Sequence, residues 1–355
     1  MLVIIKESPA ITNVIHNNSR EPSPQTQWKA DLAASFSSVE ALLDYLDLPQ
    51  KLSLQNDEPV RRFPFRVTQA YASRINKGDP DDPLLLQILP TDAERFARFG
   101  YVADPVGDLQ AVTAPGILHK YHGRVLLILT GSCAINCRYC FRREFPYAEG
   151  QLTRSRQAEA LTYIAGDDSI AEVILSGGDP LIWDDHRLAM LVDAISEFPH
   201  VLRLRIHTRL PIVLPSRITS NLVRVIAGTR LKPVLVVHAN HANEFDSEVG
   251  IAMRTLHDAG VTLLNQSVLL KGVNDSPEAL ARLSERLFDH GILPYYLHLL
   301  DKANGTGHFE VSEPAAIALY EELQRRLPGY LVPRLVREMA GEPYKMHLLK
   351  AKDLP

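Results

Sequence analysis

From about residue 124 the chain is punctuated by six short runs rich in apolar, mostly β-branched or aromatic residues. They are VLLILT (125–130), AEVILS (171–176), LRLRIH (202–207), PVLVVH (233–238), VTLLNQ (261–266) and LPYYLH (293–298). Each is too short for a helix, and most are continuous rather than alternating, as in strands covered on both faces. Between them lie stretches of helix formers with apolar positions three and four apart, such as DDHRLAMLVDAISEF and SPEALARLSERLFDH. After a longer first interval the runs recur about every 30 residues, the size of one strand–helix unit. The pattern predicts an α/β fold with a parallel sheet covered by helices.

The polar residues choose between two such architectures. Each apolar run ends in a chemically loaded tip: Gly131-Ser132-Cys133, Ser176 to Pro180, His207-Thr208-Arg209, His238-Ala239-Asn240, Asn265-Gln266-Ser267, and His298 with Asp301. In a barrel these carboxyl-terminal ends converge on one face, where barrel enzymes keep their sites. Six loaded tips in register favour a partial (β/α)6 barrel over a flat, doubly wound sheet. Residues 1–110 read differently, rich in Pro and Asp with helical patches such as SSVEALLDYLDL and TDAERFARFG. The expected organisation is a mostly helical N-terminal region over 1–110, a barrel core over 111–340 and a C-terminal tail over 341–355.

With 355 residues, 46% of them hydrophobic, the chain can bury a sizeable core. A net charge of −4 argues against nucleic acid as the main partner. No apolar run approaches the ~20 residues of a membrane span. The opening MLVIIKESPAITNVIHNNSREPSP has a short apolar patch but no basic region, long apolar core or small-residue cleavage site, so no secretory signal is expected. A reduced, cytoplasmic location is.

All three cysteines fall within one loop, as Cys133, Cys137 and Cys140 in CAINCRYCFRR. Iron–sulfur clusters are usually held by four thiolates, so three from one loop leave one iron open to a small molecule. A structural zinc would want four Cys or His ligands; the nearest histidines, His119 and His122, lack the spacing for one. An odd number of cysteines in a reducing compartment argues against disulfides. The segment Ser176-Gly177-Gly178-Asp179-Pro180 reads by itself as a turn after a strand, with Asp179 capping the helix that comes next. A Walker-type phosphate loop is excluded, since no Gly-Lys-Ser/Thr is present there.

With Tyr139 just before Cys140, the cysteine loop resembles the signature of the radical S-adenosylmethionine (SAM) superfamily. That resemblance implies a [4Fe-4S] cluster on Cys133, Cys137 and Cys140, with the amino and carboxylate groups of SAM on the open iron. It also implies SAM contacts at Ser176, Gly177 and Gly178. Over about residues 60–350 the chain is similar to the lysine 2,3-aminomutase family. FPFRVTQAYASRI, DPLLLQILP, HGRVLLILT, the cysteine loop, SGGDPL, RIHTRLPIVLPSRIT, NQSVLLKGVND, PYYLH and GHF occur in that family's order. The family adds pyridoxal 5′-phosphate (PLP) to SAM and the cluster.

The likeness implies that Lys345 bonds PLP, with Lys350 as the fallback. It implies Arg124 at the PLP phosphate and Tyr295 on the PLP side, and His238 and Gln266 on the SAM side. It places Arg142 at the substrate carboxylate, and Asp301 and Glu338 at the distal ammonium of lysine. The aminomutases of lysine catabolism carry an Asp where Glu338 stands and a glycine-rich stretch before the PLP lysine. They also have further cysteines that bind structural zinc and a C-terminal extension, all missing here. The shorter pattern is similar to the branch that makes (R)-β-lysine for modification of elongation factor P.

The implied activity is an isomerase moving the 2-amino group of L-lysine to C3, fed by an electron donor such as a flavodoxin or ferredoxin system. Two other readings stay open from the residues: a radical SAM enzyme acting on another amino acid, and a non-catalytic iron–sulfur redox module. The sequence leaves undecided whether the chain forms a homo-oligomer.

Overall fold

A computed structural model describes residue 23 and residues 25–52 and 57–348. Among the described residues ten strands form one sheet: β1 (Val112–Ala114), β2 (Ile117–Tyr121), β3 (Arg124–Thr130), β4 (Glu172–Gly177), β5 (Arg203–Thr208), β6 (Lys232–Val237), β7 (Thr262–Val268), β8 (Leu293–His298), β9 (Arg334–Arg337) and β10 (Met346–His347). Their order in space is their order in sequence. The six expected strands are β3 to β8, all parallel, and β9 adds a seventh parallel strand beside β8. An antiparallel hairpin, β1–β2, flanks one side and antiparallel β10 the other.

A sheet whose order never reverses sends every right-handed crossover to the same face. The helices Asp185–Ser196, Ser220–Ala227 and Ser247–Asp258 accordingly share one core with Val125, Leu127, Val173, Leu175, Leu204, Ile206, Leu235 and Val237. The helix starts follow local rules. Side chains of Asp184, Thr219, Asp246 and Ser276 each accept a backbone N–H at an N-terminus.

The opposite face is left for polar residues, and the sheet curls around it. Lys120 on β2 lies 3.0 Å from Glu338, the residue just after β9. In a flat sheet strands seven places apart would be separated by about 33 Å. The ends of the sheet therefore meet through side chains, without a backbone ladder, which makes a partial barrel.

The N-terminal region holds the cysteine loop down. Arg138, fully buried, donates to both oxygens of Glu94 (2.9 and 2.6 Å) and to the carbonyls of Phe63 and Pro59. Asn136 bonds the backbone of Arg66 and Pro64. These ties account for one departure from the sequence pattern: TDAERFARFG is helical only as one 3-10 turn, Asp92–Arg95. Its Glu94 is drawn inward to Arg138 and Arg143, the helical turn ends at an extended Phe96, and Phe96 and Phe99 are exposed. Among the described residues no helix is long and apolar enough to cross a membrane.

Candidate active site

At the mouth of the curled sheet an unbroken chain of ion pairs runs from one end of the barrel to the other. Lys345 and Lys120 both pair with Glu338. Lys120 also reaches Asp108 at 2.5 Å, and Asp108 holds Arg142 at 2.7 Å. Arg142 in turn donates to Ser176 Oγ at 3.3 Å. Burial and then the Glu338 charge push the Tyr121 hydroxyl up, and the Arg124 guanidinium lies 4.6 Å from the Tyr121 ring centre. Arg124 and Glu338 thus both act on one tyrosine.

The charges along this chain are set by two opposing effects. Burial alone would push the carboxyls of Glu338 and Asp108 up. For Glu338 the lysines Lys345 and Lys120 win, and its carboxyl is held well below the usual range. For Asp108 it is Arg142 and Lys120 that prevail. Asp301 is the exception. Burial, reinforced by Glu338, pushes it up to about 7, against the pull of Lys345. The site therefore holds two firmly ionised carboxylates, Glu338 and Asp108, and a third, Asp301, whose charge depends on what cation sits beside it.

Three imidazoles line the same interior, on β5, just after β6 and at the end of β8. Burial keeps all three neutral: His238 is lowered to about 3, and His207 and His298 are lowered well below their ordinary value. Gln266 and His238 lie 2.7 Å apart, so the neutral ring accepts from the amide there. Among the described residues His207 Nε2 and His298 Nε2 have no hydrogen-bond partner. Two buried, unpaired polar atoms on one interior fit a polar ligand lying between them.

The three cysteines come together, as their mutual electrostatic influence shows; burial first, then the other acidic groups, push Cys133 and Cys140 up, the latter to about 11. Thiols raised in this way ionise only with strong positive charge beside them, as iron supplies. Among the described residues no three His, Cys, Asp or Glu side chains gather tightly enough for a single metal ion. Three cysteines in one loop, with no fourth in the sequence, fit a cluster held by three thiolates.

The glycines have a packing reason of their own. A Cβ on Gly177 would stand 2.5 Å from the carbonyl oxygen of Thr130, and one on Gly178 2.5 Å from that of Ser132. Gly177 also has φ +125°, a region that favours glycine. The two residues let the end of β4 press against the entry to the cysteine loop. Asp179 then ties β4 to β5, accepting from Thr208 Oγ1 and from the backbone N–H groups of Arg209, Leu210 and Leu181.

Tyr295 stands apart from this group. A register shift where β7 pairs with β8 leaves it as the extra residue between Pro294 and Tyr296. The bulge turns both tyrosines to one side, with ring centres 3.8 Å apart, and the charges felt by Tyr295 are those of Arg205 and Arg334. Lys350 lies outside the described residues. Sequence reasoning missed Asp108, Lys120 and Tyr121. Their partners are distant in sequence, so no spacing marks them, and each looks like an ordinary surface residue.

Residues 121–202, which include the cysteine loop and the glycine segment, match the family described as "4Fe-4S single cluster domain". A protein named L-lysine 2,3-aminomutase from Haemophilus influenzae is 48% identical over 321 residues, 90% of this chain and 95% of that one. One of the same name from Escherichia coli is 47% identical over 90% of this chain and 94% of its own length. Another, from Clostridium subterminale, is 35% identical, and the match covers 88% of this chain but 76% of that longer protein. With 90% of the chain matched at 48% and 47% identity to relatives covered over 94–95% of their own length, the chain belongs to the L-lysine 2,3-aminomutase family.

Proposed function

We propose that the protein converts L-lysine to β-lysine by moving the 2-amino group to C3. The observation that carries this is the ion-pair chain. It sets a guanidinium, Arg142, at one end and the Glu338 carboxylate at the other, and Asp301 lies near enough to Glu338 and Lys345 to feel their charges. Lysine carries the complementary charges, a carboxylate at one end and an ammonium at the other.

In this reading Arg142 grips the substrate carboxylate, a task suited to its planar fork. Asp108 keeps that fork aimed. Glu338 and Asp301 receive the distal ammonium, whose charge they pair once it leaves water. The ammonium of Lys345 stands in for it here. Lys345 holds PLP, and Arg124 and Tyr121 fit its phosphate end; Tyr295, set apart in the β8 bulge, has no part in it. Ser176, Gly177, Gly178, His238 and Gln266 face SAM, and Cys133, Cys137 and Cys140 hold the cluster. When bound, the cluster and SAM supply a carbon radical, and PLP supplies the π-system across which the amino nitrogen moves. The neutral imidazoles add no positive charge beside a sulfonium ligand. A side-chain carboxylate, as in glutamate, is repelled by Glu338.

The titration of Asp301 gives a pH test. A carboxyl raised from 3.8 to about 7 is protonated below that value in the free protein and ionised above it. Lysine binding therefore strengthens as pH rises through about 7. The kcat/KM for lysine should climb over that interval, reporting the free enzyme. Asp301→Asn should lower it and flatten the climb; an unchanged profile in that variant would remove Asp301 from the ammonium site.

The near-equal length shared with the Haemophilus influenzae and Escherichia coli relatives, against partial cover of the Clostridium subterminale one, supports the shorter branch. On this reading the product is (R)-β-lysine for modification of elongation factor P. The protein works in the reducing cytoplasm, where an oxygen-sensitive cluster survives, with a flavodoxin or ferredoxin system as its donor. The decisive experiment is anaerobic reconstitution with iron, sulfide, PLP and SAM, followed by chromatography of the lysine isomers. β-Lysine formed only with all components supports the proposal, and its absence under full reconstitution counts against it. Turnover of another amino acid in place of lysine would favour a different substrate on the same scaffold.

A further inference from the structure

Arg209, at the tip of β5, has no part in binding lysine, PLP or SAM as proposed, yet it is one of the most tightly held side chains in the protein. It is buried. One terminal nitrogen lies 2.6 Å from Cys137 Sγ and 2.7 Å from the Tyr139 hydroxyl. The other meets Gln87 Oε1 at 2.8 Å, Glu244 Oε2 at 2.9 Å and the Tyr71 hydroxyl at 3.4 Å. These partners come from the N-terminal region, the cysteine loop and the segment after β6. Glu244 is fixed in turn, since its Oε1 accepts the backbone N–H groups of Asn240 and His241 and the amide of Gln87.

We propose that Arg209 is a positioning residue for the cluster that sets its reduction potential, by aiming a fixed guanidinium N–H at the sulfur of Cys137. The proposal rests on the reading of the three cysteines as cluster ligands. Hydrogen bonds to ligand sulfur and nearby net charge are among the levers on iron–sulfur potentials. Reduction brings in one electron from an external low-potential donor and makes the cluster one unit more negative; no bond forms or breaks. A guanidinium against a ligand sulfur favours that added charge and raises the potential. Glu244 offsets part of the effect, but it sits on the far side of the guanidinium, so the sulfur faces the positive end of the pair.

A clamp that merely joined three segments would leave the potential unmoved, so the potential is the test. Wild type, Arg209→Gln, Arg209→Lys and Glu244→Gln are reconstituted anaerobically with iron and sulfide and titrated against dithionite, with EPR as the readout. Arg209→Gln is expected to shift the midpoint negative, lowering the reduced-to-oxidised ratio about tenfold at a given poise, which is about 59 mV for one electron. Arg209→Lys keeps the charge but loses the fork, and should shift less in the same direction. Glu244→Gln should shift the midpoint the other way. If Arg209→Gln fails to fold, the other two variants carry the test through their opposite signs. Variants that load a cluster and share the wild-type midpoint overturn the proposal. A wild type that takes up no cluster overturns the cluster reading instead.

Discussion

Lys345→Ala is expected to cut β-lysine formation by on the order of a thousandfold or more, because the covalent hold that positions PLP against the substrate is lost. The fold should survive. Lys345 directly precedes β10, and its loss leaves Glu338 still paired with Lys120. No buried charge is orphaned. The variant should therefore keep the iron and sulfide content of the wild type and lose the visible absorption of bound PLP. Retained absorption with retained turnover would move the role to another lysine, Lys350 being the first to try.

Asp108→Asn is expected to have the second largest effect, and on both stability and binding. Asp108 neutralises Lys120 and Arg142 together, with its side chain 3% exposed. Removing one partner of a buried pair leaves an uncompensated charge, at a cost of about 3–5 kcal/mol. The melting temperature of the variant should drop by several degrees. With Arg142 no longer aimed, KM for lysine should rise on the order of a hundredfold, the equivalent of about 3 kcal/mol. Thermal unfolding and steady-state kinetics on the same preparation separate the two. A stable variant with wild-type KM would mean that Arg142 is positioned without Asp108 or does not meet the substrate.

The two predictions differ in how far the sequence announces them. Lys345 is reachable from its register after Glu338 and the likeness of the surrounding motifs. Asp108 is not. It sits in a stretch with no motif, and its partners lie 12 and 34 residues away in sequence. Glu338, further off still, joins them only through Lys120. The helix that TDAERFARFG suggests is likewise overridden, because Glu94 contributes more as a partner of two arginines than as a helix residue. Arg209 falls between these cases: the sequence marks it as part of a loaded strand tip, but its contact with Cys137 appears only on folding.

Local and periodic information fixed a good deal on its own. Strand–helix alternation determined the parallel sheet, the loaded strand tips pointed to the end proposed to carry the chemistry, and the cysteine loop pointed to an iron–sulfur cluster. These follow from rules that act within about 30 residues, the span of one structural repeat. The tertiary structure alone decided how the barrel closes, which charges meet across it and which carboxylate stays ionised. Those are Coulomb and burial effects between groups that the chain brings together from opposite edges of the sheet. Their strength depends on distance and desolvation, and neither quantity is written in sequence separation.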